Sequence, residues 1–317
     1  MLPSTTHRSD PATAILFEGA RDVRLSTTSL LDAGPADVVV DVAFSGISTG
    51  TERLLWAGEM PHFPGLSYPL VPGYEAVGTV VWAGPESTRG VGTSVFVPGA
   101  RCHAGAASLF GAAASRLVVP SDRAIALPDG LDRDGVLIAL AATAHHAIAG
   151  APPELIVGHG VLGRLMARIT LALGAAAPRV WETNPVRRVG TAGYSVVEPT
   201  ADEAGDYHGI VDASGDAAIL DTLIPRMAKG SEIVLAGFYD RVSFAFPPAF
   251  MREARLRISA EFTPSDLAAV TAMIERGALS LDGLVTHVMP AADAEAAYET
   301  AFGDPACLKM ILDWSAR

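Results

Sequence analysis

Hydrophobic and polar positions follow two styles along this chain, and the change comes near residue 130. From residue 14 to about 128, short apolar runs at 38–44, 75–81 and 94–97 are separated by glycine and proline. Runs of that length between turn residues predict a compact, mostly antiparallel β domain. From Asp132 the pattern lengthens, and Asp132 is placed to cap a helix running to about Ala149. Strands at 154–157, 179–182, 209–212, 232–235 and 257–259 then alternate with helices, among them 216–228 and 265–276. Apolar strands alternating with helices predict a parallel sheet covered on both faces. The stretch 308–313 reads as one more strand. The predicted layout is a β-rich domain over 1–145, an α/β domain with a doubly wound parallel sheet over 146–285, and a segment over 286–317 that returns to the first domain.

One stretch carries specific chemistry. Leu155-Ile156-Val157 is a short apolar strand, Gly158-His159-Gly160 a turn, and Val161-Leu162-Gly163 opens a helix. Gly158 permits the tight turn, Gly160 lets a pyrophosphate approach the backbone, and Gly163 lets helix and strand pack closely. Phosphates would sit on the unpaired N–H groups of Val161 and Leu162, where the helix dipole favours negative charge. A second strand ends in Glu182, nineteen residues after Gly163. A carboxylate there accepts both ribose hydroxyls and repels a 2′-phosphate, so the expected cofactor is NAD. Arg187 and Arg188 follow closely and could hold a phosphate instead.

Composition narrows the class. Half of the 317 residues are hydrophobic, enough for two ordinary cores, yet no apolar run approaches the ~18 residues of a membrane span. Residues 1–10 are polar and lack a signal-peptide core, so the expected compartment is the cytoplasm. Cys102 and Cys307 cannot build a disulfide framework or a four-cysteine zinc site. A net charge of −12 without basic clusters argues against nucleic acid.

The order of parts resembles the medium-chain dehydrogenases/reductases. Pro72-Gly73-Tyr74-Glu75-Ala76-Val77-Gly78 sits where that family has its Gly-His-Glu segment. Asp212-Ala213-Ser214-Gly215 and Leu235-Ala236-Gly237-Phe238-Tyr239 resemble its later cofactor-domain turns. The resemblance implies a GroES-like catalytic domain beside a Rossmann domain, with Ala213 and Ser214 at the cofactor and Thr143 against the nicotinamide. Segments 45–56, 60–61, 63–65 and 68–75 resemble a branch that acts on a tetrapyrrole. Its reaction is oxidation of the 3-(1-hydroxyethyl) group of a bacteriochlorophyllide to 3-acetyl.

The same comparison removes the metal. Ser48 or Thr49 stands where the alcohol dehydrogenases place a zinc-binding cysteine, Tyr74 replaces their histidine, and only Glu75 survives. Hydroxyls and a phenol are poor zinc ligands at neutral pH, so no metal is expected. A positioned side chain must then take the alcohol proton. The expected catalytic residues are Thr51, Glu52, Tyr74, Glu75 and one of His145 and His146, with His146 preferred. Adjacent helical residues point about 100° apart, so only one of that pair is expected at the cofactor. The loop 56–68 supplies Trp56, Met60, His62, Phe63 and Tyr68 as an apolar wall for a flat substrate. Two other readings use the same residues: a zinc-free quinone or enone reductase with NADPH, and a non-enzymatic nucleotide-binding protein that presents a tetrapyrrole. A homodimer is a further expectation.

Overall fold

The computed structural model describes residues 6–61 and 64–315. The chain forms two compact units, Met1–Ala139 with Val285–Arg317 and Leu140–Leu284. The expected boundary at 145/146 thus moves to 139/140, inside the helix Ile138–Ile148. The reason lies in that helix's bonding. Arg257 donates to the Ala147 carbonyl at 2.7 Å, and His145 and His146 both reach Asp266, all within the second unit. Asp132 does not cap this helix. It lies inside a 3-10 segment, Asp132–Leu137, at φ +31° and with no side-chain cap bond.

The first unit is β-rich, as its short apolar runs require. Its hub is the strand Asp37–Ile47, which pairs antiparallel with Ala76–Ala83, Arg116–Pro120 and Met310–Asp313. Flanked on both sides, it buries Val38, Val39, Val40 and Val42 in one core cluster. A second cluster gathers Phe17, Ile47, Leu55, Tyr298 and Met310. The helix Thr51–Ala57 has only seven residues, too few to be stable alone. Tertiary packing holds it: Leu55 is fully buried in the second cluster, which contributes about 1.5–3 kcal/mol. Gly58, left-handed at φ +72°, ends the helix.

The second unit is a six-stranded parallel sheet. Its order is Ser195–Val197, Arg179–Trp181, Leu155–Val157, Tyr207–Asp212, Met227–Leu235, Arg255–Ile258. In chain order of its strands this is 3-2-1-4-5-6, the doubly wound order with its crevice at the carboxyl end of the first strand. The helix expected over 216–228 shrinks to Leu220–Leu223 and a 3-10 turn, Ile224–Arg226. Ser214 and Asp216 side chains take the amides of Asp216 and Ala218, which favours a turn over helix. Pro225 then supplies no amide to continue it.

Candidate active site

In the second unit the three glycines of the turn differ in their physical roles. Gly158 sits at φ +95°, which disfavours any side chain. A Cβ on Gly163 would overlap the Gly158 carbonyl, so helix and strand could not close together. A Cβ on Gly160 would meet nothing within 4 Å. The open space above Gly160 lies beside the start of the helix Val161–Ala172, whose N-cap, Gly160, offers no side chain to the first amides. Room, amides and dipole together suit a pyrophosphate. Ala213 and Ser214 lie 3.2 Å from where a Gly158 Cβ would stand, so they border the turn. Ser214 is held there by Asp212, whose carboxylate accepts its amide at 2.9 Å.

Glu182 is buried beside this turn. Its two oxygens accept the amides of His159 at 2.9 Å and Asn184 at 2.8 Å. A carboxylate has about four acceptor positions, so two remain for hydroxyl donors. His159, though not expected as a structural residue, links the turn to the next loop. Its Nδ1 donates to the Arg187 carbonyl at 2.6 Å and its Nε2 accepts the Tyr194 hydroxyl at 2.8 Å. Burial lowers this imidazole to about 4, which keeps it neutral. Arg164 completes the clamp by donating to the carbonyls of His159, Arg187, Val189 and Gly190. Arg188 donates to the Thr183 carbonyl at 3.0 Å.

Thr143 lies half-buried on the helix Ile138–Ile148, one turn before His146. The two histidines share a partner. His145 Nδ1 and His146 Nδ1 bind the two oxygens of Asp266 at 2.7 and 2.9 Å, because that carboxylate stands between them. Burial alone would raise Asp266, but bonds from Thr263 and both histidines outweigh it and hold the carboxyl low. Asp266 also closes a capping box with Thr263 on the helix Pro264–Glu275.

The other four expected catalytic residues converge in the first unit. Ser48 Oγ and the Tyr74 hydroxyl lie 2.7 Å apart, and the Thr51 hydroxyl also bonds Tyr74. Glu52 and Glu75, which follow Thr51 and Tyr74 in the chain, are both fully or almost fully buried. Burial and the nearby Glu75 push Glu52 up to about 8, while Lys309, the Tyr298 hydroxyl and the Ser48 amide hold it back. Tyr298 donates to Glu52 Oε2 at 3.0 Å. Burial pushes Glu75 up as well, and its ion pair with Lys309 opposes that. Burial also raises the Tyr74 phenol, so Tyr74 keeps its proton at neutral pH and is not a phenolate.

Lys309 and Tyr298 were absent from the residues expected at this site. The one available signal was a single lysine in the apolar run 308–313. The donor set does not fit zinc: two hydroxyls and a carboxylate already matched by an ammonium replace the N/S ligands that zinc takes. Among the described residues no group of three or more His, Cys, Asp or Glu is placed to hold a metal.

Trp56, Met60 and Tyr68 pack against the second core cluster. The Trp56 ring meets Phe302 at 5.3 Å and the Arg21 guanidinium at 4.9 Å, and Tyr68 donates to the Leu55 carbonyl at 2.5 Å. Their inward faces therefore belong to the fold. His62 and Phe63 lie outside the described residues.

A GroES-like β unit with a buried hydroxyl–carboxyl site and a doubly wound unit with a dinucleotide turn together define a medium-chain dehydrogenase/reductase. Residues 34–129 match the alcohol dehydrogenase GroES-like domain family. The 2-desacetyl-2-hydroxyethyl bacteriochlorophyllide A dehydrogenase of Rhodobacter capsulatus is 56% identical over 95% of this chain and 97% of its own length. The protein of the same name from Cereibacter sphaeroides is 55% identical over 96% of this chain and 98% of its own. The chain belongs to this dehydrogenase family. Acetophenone reductase from Geotrichum candidum, solved with NAD, shares the fold at a TM-score of 0.83 and 20% identity, covering 98% of this chain and 99% of that one. No helix among the described residues is long and apolar enough to cross a membrane.

Proposed function

We propose that this protein oxidises the hydroxyethyl group of a bacteriochlorophyllide to an acetyl group with NAD, without a metal ion. The observation that carries the reading is the Ser48–Tyr74–Thr51 hydroxyl cluster over buried Glu52, where zinc enzymes of this fold hold their metal. The names of the two relatives supply the substrate. The turn at Gly160 and the Glu182 carboxylate would hold NAD, which would supply the hydride acceptor for the carbinol carbon. The chain's part is to hold the alcohol oxygen on the hydroxyl cluster and to pass its proton toward Glu52. The macrocycle helps, because positive character at the reacting carbon delocalises into a conjugated ring. The exposed remainders of Trp56, Met60 and Tyr68 supply an apolar wall for it. Thr143 and the Asp266-oriented His146 stand on one helix as the nicotinamide-side residues of this reading.

A spectral assay with 3-hydroxyethyl bacteriochlorophyllide and NAD tests the function. Oxidation extends the conjugation, so the long-wavelength band is expected to move to the red, with turnover unaffected by chelators. Loss of activity together with one bound zinc per chain would overturn the metal-free site.

Cofactor preference rests on Glu182. Its two remaining acceptor positions suit ribose hydroxyls, and Arg188 donates to the Thr183 carbonyl. Glu182→Ala is expected to weaken NAD binding by about 10- to 150-fold. Titration of NAD and NADP into wild type and variant checks this. Equal affinity of the wild type for both cofactors would refute the role of Glu182.

A further inference from the structure

Lys309 is one of two lysines in the chain, and its side chain is 1% exposed. It arrives from the return segment by strand register. Met310 pairs with Ile47, and Ile311 with Gly46, so the preceding residue falls beside Ile47 and Ser48. Its Nζ donates to the Ile47 carbonyl at 3.0 Å and forms an ion pair with Glu75. Ile47 immediately precedes Ser48, and Glu75 immediately follows Tyr74. One ammonium thus joins the two backbone segments whose neighbouring side chains meet at 2.7 Å.

Two further facts tighten the placement. The Gly46 amide donates to the Glu75 carbonyl at 2.8 Å, so the same segments are already laced by backbone. A Cβ on Gly46 would overlap Glu75 Oε2 and crowd Lys309 Cε, so the ion pair fits only because residue 46 is glycine. A planar guanidinium fork is larger than the compact ammonium, and arginine would not fit this gap. Net stability does not account for the pair, since buried ion pairs are often matched or bettered by apolar residues of similar volume.

We propose that Lys309 is a positioning residue: its ammonium clamps the backbone before Ser48 to the carboxylate after Tyr74 and so fixes the hydroxyl pair that receives the alcohol. This rests on the oxidation proposed above. Lys309 touches no reacting atom; it acts through Ser48 and Tyr74.

The test uses the full-length enzyme. Lys309→Met alone strands the buried Glu75 charge and is expected to lose thermal stability, so it serves as the control. The informative variant is Lys309→Met with Glu75→Gln, which keeps volume and removes both charges. Amide hydrogen exchange, measured without cofactor or substrate, is expected to quicken in segments 46–51 and 73–76 by about 10-fold or more and to stay unchanged across 140–284. Turnover is expected to fall about 10- to 100-fold, with KM for NAD within about twofold of wild type. Lys309→Arg is expected not to restore it. Unchanged exchange in both segments overturns the clamp whether or not the enzyme is active. Quickened exchange with wild-type turnover and pH profile overturns the positioning role. Failure of the wild type to oxidise the substrate would instead remove the functional reading, with exchange still deciding the clamp.

Discussion

Glu52→Gln is expected to stabilise the protein at pH 8 while leaving it unchanged near pH 4. Burial, and then the charge of Glu75, lift the Glu52 carboxyl from 4.5 to about 8; Lys309, Tyr298 and the Ser48 amide pull the other way. In the unfolded chain the same group ionises at its ordinary value. Between the two values the unfolded state releases a proton that the folded state keeps. Stability is therefore fully present below pH 4.5 and is lost as pH rises through about 8. Each pH unit in that window costs about 1.4 kcal/mol. At pH 7 the expected gap between variant and wild type is about 3 kcal/mol. Glutamine keeps the side-chain shape and the oxygen to which Tyr298 donates, so the comparison isolates the charge. Urea unfolding of both proteins at pH 4, 5, 6, 7 and 8 measures it. A gap that stays constant across the series would mean that Glu52 ionises in the fold as it does in water.

What could be read from the chain and what could not divides by sequence distance. The glycine turn, its strand, its helix and Glu182 lie within about 30 residues, and each is tied to a backbone need that local residues reveal. Gly158 needs a positive φ, and Gly163 has no room for a Cβ. The strands were legible for the same reason: apolar runs between turns. Lys309 and Tyr298 were not, because they meet Ile47 and Glu52 across 262 and 246 residues. A strand pattern scores Lys309 as one polar position and says nothing of what lies opposite it. Asp266 was hidden likewise, 121 and 120 residues from the histidines it joins. The helix over 216–228 failed differently. Its apolar spacing was right, but Asp216 and Pro225, both in plain view, use the backbone in ways that end a helix. The aromatic loop was read as a substrate wall from composition, which cannot tell the inward face of a packed ring from an outward one.

Tyr74→Phe is expected to cut turnover by about 10²-fold, at the low end of what positioned proton transfer supplies, with KM for NAD unchanged. The ring would keep its edge contact with Phe110 at 5.6 Å, so the fold should survive. What is lost is the hydroxyl that bonds Ser48 and Thr51. A lone hydroxyl cannot hold the alcohol proton near neutral pH, so the relay must end on a group that can. In the proposed relay that group is Glu52, which burial pushes up to about 8. Oxidation is therefore expected to speed up as pH rises through about 8, when Glu52 loses its own proton and becomes an acceptor. Burial first, then Glu75, Lys309, the Tyr298 hydroxyl and the Ser48 amide set where that limb falls. Thr51→Val should lower turnover with the limb in place, since it removes a relay hydroxyl and leaves the acceptor. Glu52→Gln should abolish the limb. Stopped-flow measurement of hydride transfer from pH 6 to 9 in the four proteins decides the matter. If Glu52→Gln keeps both wild-type rate and wild-type profile, the proton does not leave through the first unit. The acceptor would then be sought at His146, where Asp266 already orients the imidazole.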